Sequence, residues 1–251
     1  MTAMNEHHSQ PTNSTNPRAL VLCDGDIPGF HAAWAARERA AANGPGSAMP
    51  LLVAFTSDPT GSVSESGSSG GEGGAGVGVE ALEHAVTMQA RALGLTAIAS
   101  IHARGTNAED LAGHRECIAL TKACYAAAML GCDRVIWPAH ACVGESLDLD
   151  RIAQIADRSV LVARLVALDA LTHRMPGIRI ETPYVDLTDA QMADLFIDAE
   201  LSASACWWWG GSESGEADKA GRRGQASSIA GQRAQQRWFD VLEPLGWHAD
   251  A

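Results

Sequence analysis

The chain has 251 residues, of which 46% are hydrophobic and 19% charged, so it can bury a core and is not disordered throughout. Its formal net charge of −12 at pH 7 repels phosphate backbones and anionic lipid headgroups, so neither nucleic acid nor a membrane is expected as a partner. The densest basic patch is interpreted as a solvated helix face: Arg222, Arg223, Arg233 and Arg237.

The N-terminal residues, the hydropathy and the cysteines predict a cytoplasmic protein. Residues 1–17 are polar and lack the apolar segment of a secretory signal, and we expect them to be disordered. No stretch reaches the ~18 apolar residues that span a bilayer. The six cysteines lack the spacing of a disulfide framework and are predicted to be reduced core thiols, with Cys117 and Cys124 at buried helix positions.

Short apolar runs alternate with amphipathic segments of helical length, which predicts a parallel sheet flanked by helices. The predicted strands cover residues 19–23, 51–55, 97–101, 134–137 and 177–181. The predicted helices cover residues 30–42, 79–93, 114–130, 149–171 and 229–242. A further helix is predicted to begin at the capping-box spacing of Thr188 and Gln191. The Gly/Ser-rich residues 57–78 are predicted to form a flexible insertion.

Several side chains receive a structural interpretation. In the helix 149–171, the register leaves Asp150, Arg151, Asp157 and Arg158 to solvent. On the first helix, His31 and Trp34 are predicted to pack. His140 lies just beyond the fourth strand, where a pocket opens, but a hydrogen-bonded structural role is favoured.

A phosphate favours the loop between the first strand and its helix in an open parallel sheet. Here that loop contains Asp24, Gly25 and Asp26. Its placement resembles the PP-loop of nucleotide enzymes, whose usual form is S-G-G-x-D-S, and Gly25 falls in register. Pro28 removes a backbone donor and is predicted to keep Ile27 extended.

Later blocks resemble the 7-cyano-7-deazaguanine synthase family. Residues 180–188 read I-E-T-P-Y-V-D-L-T and are similar to that family's I-E-T-P-L-I-D-L-T segment. Arg115 falls on the arginine of the family's A-R-N motif. Cys206, followed by Trp207, Trp208 and Trp209, resembles the element that carries the first zinc ligand. Residues 220–226 follow the C-G-R-C-x-x-C frame with every cysteine replaced.

The resemblance implies a fold and an activity. The fold is a Rossmann-like doubly wound α/β domain of the adenine-nucleotide alpha-hydrolase type over residues 18–200. A small helical C-terminal subdomain over residues 201–251 carries the degenerate zinc site. Members of the family use ATP to convert 7-carboxy-7-deazaguanine to 7-cyano-7-deazaguanine in queuosine biosynthesis. Asp24, Gly25, Asp26 and Arg115 are the candidate nucleotide-binding residues.

The departures from the family predict weakened chemistry. Asp24 and Asp26 place negative groups, which only accept hydrogen bonds, where a polyphosphate would bind, and they would repel it. A bound Mg²⁺ ion would turn that repulsion into attraction. Asp189 replaces a family lysine and is interpreted as a first-turn acid on the helix dipole. Cys206 alone cannot hold a structural zinc, so the run Trp207–Trp209 is predicted to pack that region apolarly.

Three functions stay open at this point. The leading one is a catalytically impaired protein that binds a small purine-like ligand or a protein partner. The second is an active synthase, with ATP and Mg²⁺ as cofactors. The third is a different ATP-dependent amide- or nitrile-forming enzyme. A homodimer is compatible with each of them.

Overall fold

The structure, a computed structural model, describes residues 18–56, 79–102, 112–173, 177–209 and 229–247. The predictions of a disordered segment 1–17 and of a flexible insertion 57–78 lie outside the described residues. So do the positions 220–226 that follow the zinc frame. No helix within the described ranges is both long and apolar enough to cross a membrane.

The chain folds around a five-stranded sheet. The strands are β1 (Ala19–Cys23), β2 (Leu51–Thr56), β3 (Thr96–His102), β4 (Arg134–Ile136), β5 (Cys142–Val143), β6 (Ser146–Leu147) and β7 (Arg179–Glu181). The sheet has the order β3-β2-β1-β4-β7, and every neighbouring pair is parallel. The short strands β5 and β6 form a separate antiparallel hairpin. The predicted α/β fold with a parallel sheet is confirmed, and its strand order is consistent with a Rossmann-like fold.

Helices cover both faces of the sheet. They are α1 (Ile27–Ala42), α2 (Val79–Leu93), α3 (Ala112–Met129), α4 (Leu149–His173), α5 (Asp189–Asp198) and α6 (Ile229–Leu242). Successive residues of β1 point to opposite faces, so Val21 joins the core under α1, α2, α5 and α6, while Leu22 joins the core under α3 and α4. Coverage on both sides explains why β1 is apolar at every position.

Helix α1 begins at Ile27, earlier than the sequence predicts. Asp26 is its N-cap residue, and the Asp26 side chain accepts a hydrogen bond from the Ile27 amide. Pro28 follows within the first turn, where the missing amide hydrogen costs nothing. The prediction that Pro28 keeps Ile27 extended is therefore wrong, because the cap of Asp26 and the burial of Ile27 outweigh the local preference.

The predicted capping box of α5 is confirmed. The Thr188 hydroxyl accepts from the Gln191 amide at 3.2 Å, and the Gln191 side chain accepts from the Thr188 amide at 2.9 Å. On α3, Cys124 is buried as predicted, but Cys117 is only half-buried, so its assignment as a core position is wrong. All six cysteines are free thiols.

The C-terminal segments pack into the same core as α1 and α5. Trp208, Trp238 and Leu242 are fully buried in one cluster with Phe30 and Phe196. The predicted apolar packing of the tryptophan run is confirmed. Trp208 and Trp209 pack edge to face with each other, and both pack edge to face with Phe239. Trp209 packs in the same way with Trp247.

Candidate functional site

A cavity of about 250 Å³ lies at the carboxyl ends of β1, β2 and β4. It adjoins the point between β1 and β4 where the strand order reverses, which is where open α/β sheets bind ligands. Asp24 and Asp26 from the loop after β1 line it, together with Thr56 at the end of β2 and Trp137 directly after β4. The remaining polar lining comes from three helices and the loop after β4: Glu116, Arg151, Arg237 and His140.

The loop between β1 and α1 bonds its amide groups to its own carboxylates. The Asp26 amide donates to Asp24 Oδ1 at 3.1 Å, and the Ile27 amide donates to Asp26 Oδ1 at 2.8 Å. Pro28 has no amide hydrogen to offer. These two amides are among the donors that a helix N-terminus presents to a bound anion, so the two aspartates occupy part of the position of such an anion.

Two glycines permit this arrangement. Gly25 has a φ of +75°, and a Cβ there would come within 3.0 Å of the Ala85 Cβ on α2. A Cβ on Gly29 would lie 2.9 Å from Asp24 Oδ1. Gly29 therefore lets the Asp24 carboxylate lie against the first turn of α1.

The tryptophan run fixes the loop from its other side. The Trp207 amide donates to the Gly25 carbonyl at 3.0 Å, and the Trp208 indole donates to Asp26 Oδ1 at 2.6 Å. Asp26 thus accepts two hydrogen bonds on one oxygen, from Ile27 and from Trp208. The predicted site residue Asp26 is held in place by a side chain that sequence reasoning assigned only to packing.

The two loop carboxylates resist ionisation. Asp24 is exposed to the cavity, but the cavity walls limit its hydration, and with the neighbouring charge of Asp26 this raises its pKa to about 7. Limited hydration also raises the pKa of Asp26, against hydrogen bonds from Trp208 and Ile27 that lower it. Asp24 therefore keeps its proton to a higher pH than an ordinary aspartate does.

A buried ion pair closes the opposite side of the cavity. Asp189 is fully buried, and Arg237 of α6 donates to it from Nε at 2.8 Å and from Nη2 at 2.5 Å. The Gly144 amide donates to the same carboxylate at 2.7 Å. The interpretation of Arg237 as part of a solvated face is wrong. Asp189 does lie in the first turn of α5, but its main partner is this arginine rather than the helix dipole.

His140 belongs to the same network. Arg237 Nη2 lies 3.0 Å from His140 Nδ1 and 2.9 Å from the Cys142 carbonyl. Burial lowers the pKa of His140 and so favours the neutral ring, whose Nδ1 can accept a hydrogen bond from Arg237. The hydrogen-bonded structural role favoured from the sequence is confirmed, although His140 also lines the cavity.

A second cluster of charged residues lies at the rim of the cavity. Glu116 of α3 pairs with Arg151 and with Arg158, whose Nη1 lies 2.5 Å from Glu116 Oε2. Arg151 and Arg158 were predicted to face solvent, which is wrong, because α3 packs beside α4 and brings Glu116 between them. The predicted residue Arg115 is not among the residues that line the cavity.

Cys206 is the one position that keeps a zinc ligand of the family which the sequence resembles. Cys206 is buried, and burial raises the pKa of its thiol well above the usual value. Within the part of the chain that the structure describes, no group of three or more His, Cys, Asp or Glu residues is placed to hold a metal ion. Among those residues, Cys206 therefore lacks the four-ligand set that a structural zinc needs.

Of the loop residues that the sequence proposed for nucleotide binding, Asp24 and Asp26 line the cavity and Gly25 does not, while the lining side chains from distant elements were missed. Trp137 carried a usable signal, since residues directly after a central strand line such cavities. Glu116 and Arg237 carried none, because their placement depends on how α3 and α6 pack. No protein-family model matches the sequence, and no curated protein matches it either.

Proposed function

We propose that this protein is a diverged relative of the 7-cyano-7-deazaguanine synthases that binds a small purine-like ligand and has lost the ATP-dependent chemistry. The observation that carries the proposal is the loop after β1, in which backbone amides are hydrogen-bonded to the loop's own carboxylates. There the Asp26 and Ile27 amides donate to the carboxylates of Asp24 and Asp26, not outward.

The loop does not fit a polyphosphate. A phosphate would have to displace two carboxylates from the start of α1 and then lie beside them, with a repulsive like-charge contact. The cavity of about 250 Å³ is also smaller than the ~300–1,000 Å³ of typical ligand pockets. Both features favour a single small heterocycle over a whole nucleoside triphosphate.

The remaining surface suits a flat base with hydrogen-bond donors. Phe55, Trp137 and Pro138 supply apolar walls against which a planar ring can stack. Asp24 supplies a carboxylate acceptor, and Arg151, whose two Nη atoms each donate one hydrogen to Glu116, has further guanidinium hydrogens at the rim for a carboxylate. A 7-carboxy-7-deazaguanine molecule carries both complementary features, ring N–H donors and a carboxylate.

An active ATP-dependent synthase is the second candidate. It is favoured by the adjacency of Asp24 and Asp26, since a Mg²⁺ ion would relieve the repulsion between them. Magnesium commonly binds through one or two carboxylates together with substrate phosphates. In that case Asp24 and Asp26 would be the residues that hold the ion.

Calorimetric titration separates the two candidates. We expect the purified protein to bind 7-carboxy-7-deazaguanine with no added ATP, and to show no heat of binding with ATP, with or without Mg²⁺. Micromolar, magnesium-dependent binding of ATP would overturn the binding-protein proposal and favour the enzyme. No binding of either compound would overturn both.

The variant Asp24→Asn tests whether the ligand binds at the loop after β1. We expect it to weaken binding of the deazaguanine by about tenfold, because a charged hydrogen bond becomes a neutral one. In the wild type, the affinity should rise as the pH increases through about 7, since donors on the ligand favour ionised Asp24. The control Asp198→Asn changes an exposed carboxylate at the end of α5 and should alter neither result.

A further inference from the structure

Helix α4 carries a row of exposed large apolar side chains. Val160, Leu161, Leu165 and Leu168 are between 51% and 66% exposed, while Ile155 and Val162 on the inner face are buried. Isolated exposed leucines are ordinary, but a contiguous apolar row on one helix marks a surface that contacts another molecule.

The outer face of α4 is complementary to itself in the antiparallel direction. About the midpoint between Val160 and Leu161, Asp157 and Arg164 are equidistant, and so are Ala153 and Leu168. At about 100° per residue, all six positions fall within about 50° of one line along the helix. An antiparallel copy centred on that midpoint would therefore place Asp157 opposite Arg164 and Ala153 opposite Leu168.

We propose that a second copy of this chain docks on this face, with the two α4 helices antiparallel about a two-fold axis between Val160 and Leu161. A two-fold interface is isologous, so each complementary pair occurs twice. Two Asp157–Arg164 ion pairs would then flank a central contact of Val160 and Leu161. Ala153 leaves room for the larger Leu168 of the partner copy.

Within the part of the chain that the structure describes, the two charges on this face, those of Asp157 and Arg164, are not paired with each other or with a neighbour. Both side chains are exposed. A partner copy can therefore use them without breaking an existing interaction.

The composition of the chain argues against cover by its own remaining segments. The residues outside the described ranges contain few large apolar side chains: Met1, Met4, Val63, Val77, Leu111 and Met175. The two longest of those segments, residues 57–78 and 210–228, are rich in Gly, Ser and charged residues. A second α4 offers the matching leucines and the matching charges at once.

Helix α3, which packs beside α4, carries another exposed large apolar side chain. Met129 is 84% exposed and lies one turn beyond Tyr125, whose hydroxyl donates to Asp169 of α4. Even so, a single pair of helices falls short of the roughly 800 Å² per partner of a standard interface. We therefore expect a dimer that dissociates on dilution.

Sedimentation velocity over a dilution series tests the dimer. We expect Leu161→Glu to shift the full chain to monomer while its circular dichroism and melting temperature stay near the wild-type values, because Leu161 is exposed. The matched control Leu245→Glu changes another exposed leucine, outside α4, and should leave the dimer intact. The surface is distinct from the proposed ligand cavity, so ligand binding should persist in the monomer.

A charge exchange tests the register. Asp157→Arg and Arg164→Asp each create two like-charge contacts, and each should raise the dimer dissociation constant by about tenfold. The double variant Asp157→Arg/Arg164→Asp exchanges the pair and should restore dimerisation. A wild-type chain that is monomeric at every concentration would overturn the proposal. That holds even if a different protein is found to bind the α4 leucines. A dimer insensitive to Leu161→Glu, or a double variant no better than the singles, would overturn this interface.

Discussion

The carboxyl group of Asp24, which lines the candidate cavity, has an unusual pKa. Limited hydration and the neighbouring Asp26 raise its pKa to about 7 from an ordinary value of 3.8. A carboxyl group whose pKa is higher in the folded than in the unfolded chain contributes stability at low pH. That contribution is present below about pH 4 and is lost as the pH rises through about 7.

The variant Asp24→Asn should therefore be more stable than the wild type at pH 8. Asparagine keeps an oxygen that accepts from the Asp26 amide but never takes a charge. We expect its melting temperature to rise by about 2 °C at pH 8, a small change because solvent screens an exposed carboxylate. The difference should vanish near pH 4. Equal shifts at both pH values, or the same shift in the exposed control Asp194→Asn, would contradict this assignment.

At the residue scale, the sequence predicts features that depend on neighbouring residues in the chain and misses those that depend on distant ones. The position of Asp24, Gly25 and Asp26 follows from an apolar strand that precedes a helix, and the structure places all three there. The hydrogen bond from Trp208 to Asp26 joins residues 182 positions apart and has no local signal. The pKa of Asp24 depends on the walls of the cavity and is equally hidden from the sequence.

The ion pair between α5 and α6 is the main polar link between these elements. Removing Arg237 would leave the charge of Asp189 fully buried, with the Gly144 amide and His140 as its other neighbours among the described residues. We expect Arg237→Met to lower the free energy of unfolding by about 3–5 kcal/mol, measured by urea denaturation at pH 7. The double variant Arg237→Met/Asp189→Asn should recover part of that loss, because no charge stays buried.

The control for this pair lies one turn earlier on the same helix. Arg233 is exposed, so Arg233→Met should change stability by less than about 1 kcal/mol. An Arg237→Met chain as stable as Arg233→Met would show that the buried pair does not hold α5 to α6.

At the element scale, helices with local signals were predicted well and their orientations were not. The capping box set the start of α5, and Gly94 and Gly131 followed the ends of α2 and α3, both with positive φ as a left-handed cap requires. Arg151 was assigned to solvent from the periodicity of α4 alone. Its contact with Glu116 arises because α3 lies alongside α4, and helical periodicity does not encode that neighbour.

The order of the strands is a property of the whole molecule. Alternating strands and helices predicted a parallel sheet, and the general rule for such sheets predicted a site after β1. The cavity does lie there, between the ends of β1 and β4. Its closure by α6 was not predictable, since α6 comes from the far end of the chain and the segment before it gives no packing signal.

A chain that stops at residue 228 should therefore fail to fold cooperatively. It would lose Trp238 and Leu242, both fully buried in the core that contains Phe30 and Phe196, and also Arg237 from the cavity. Loss of a buried tryptophan alone costs about 3–5 kcal/mol, against a total stability of about 5–15 kcal/mol. We expect a broad thermal transition and a weak near-ultraviolet circular dichroism signal, because Trp208 and Trp209 lose Phe239 as a neighbour. A chain that ends at residue 247 serves as the control and should melt like the full chain. A sharp transition in the shorter chain would mean that the sheet and helices α1 to α5 form a stable core without α6, and that α6 serves the cavity alone.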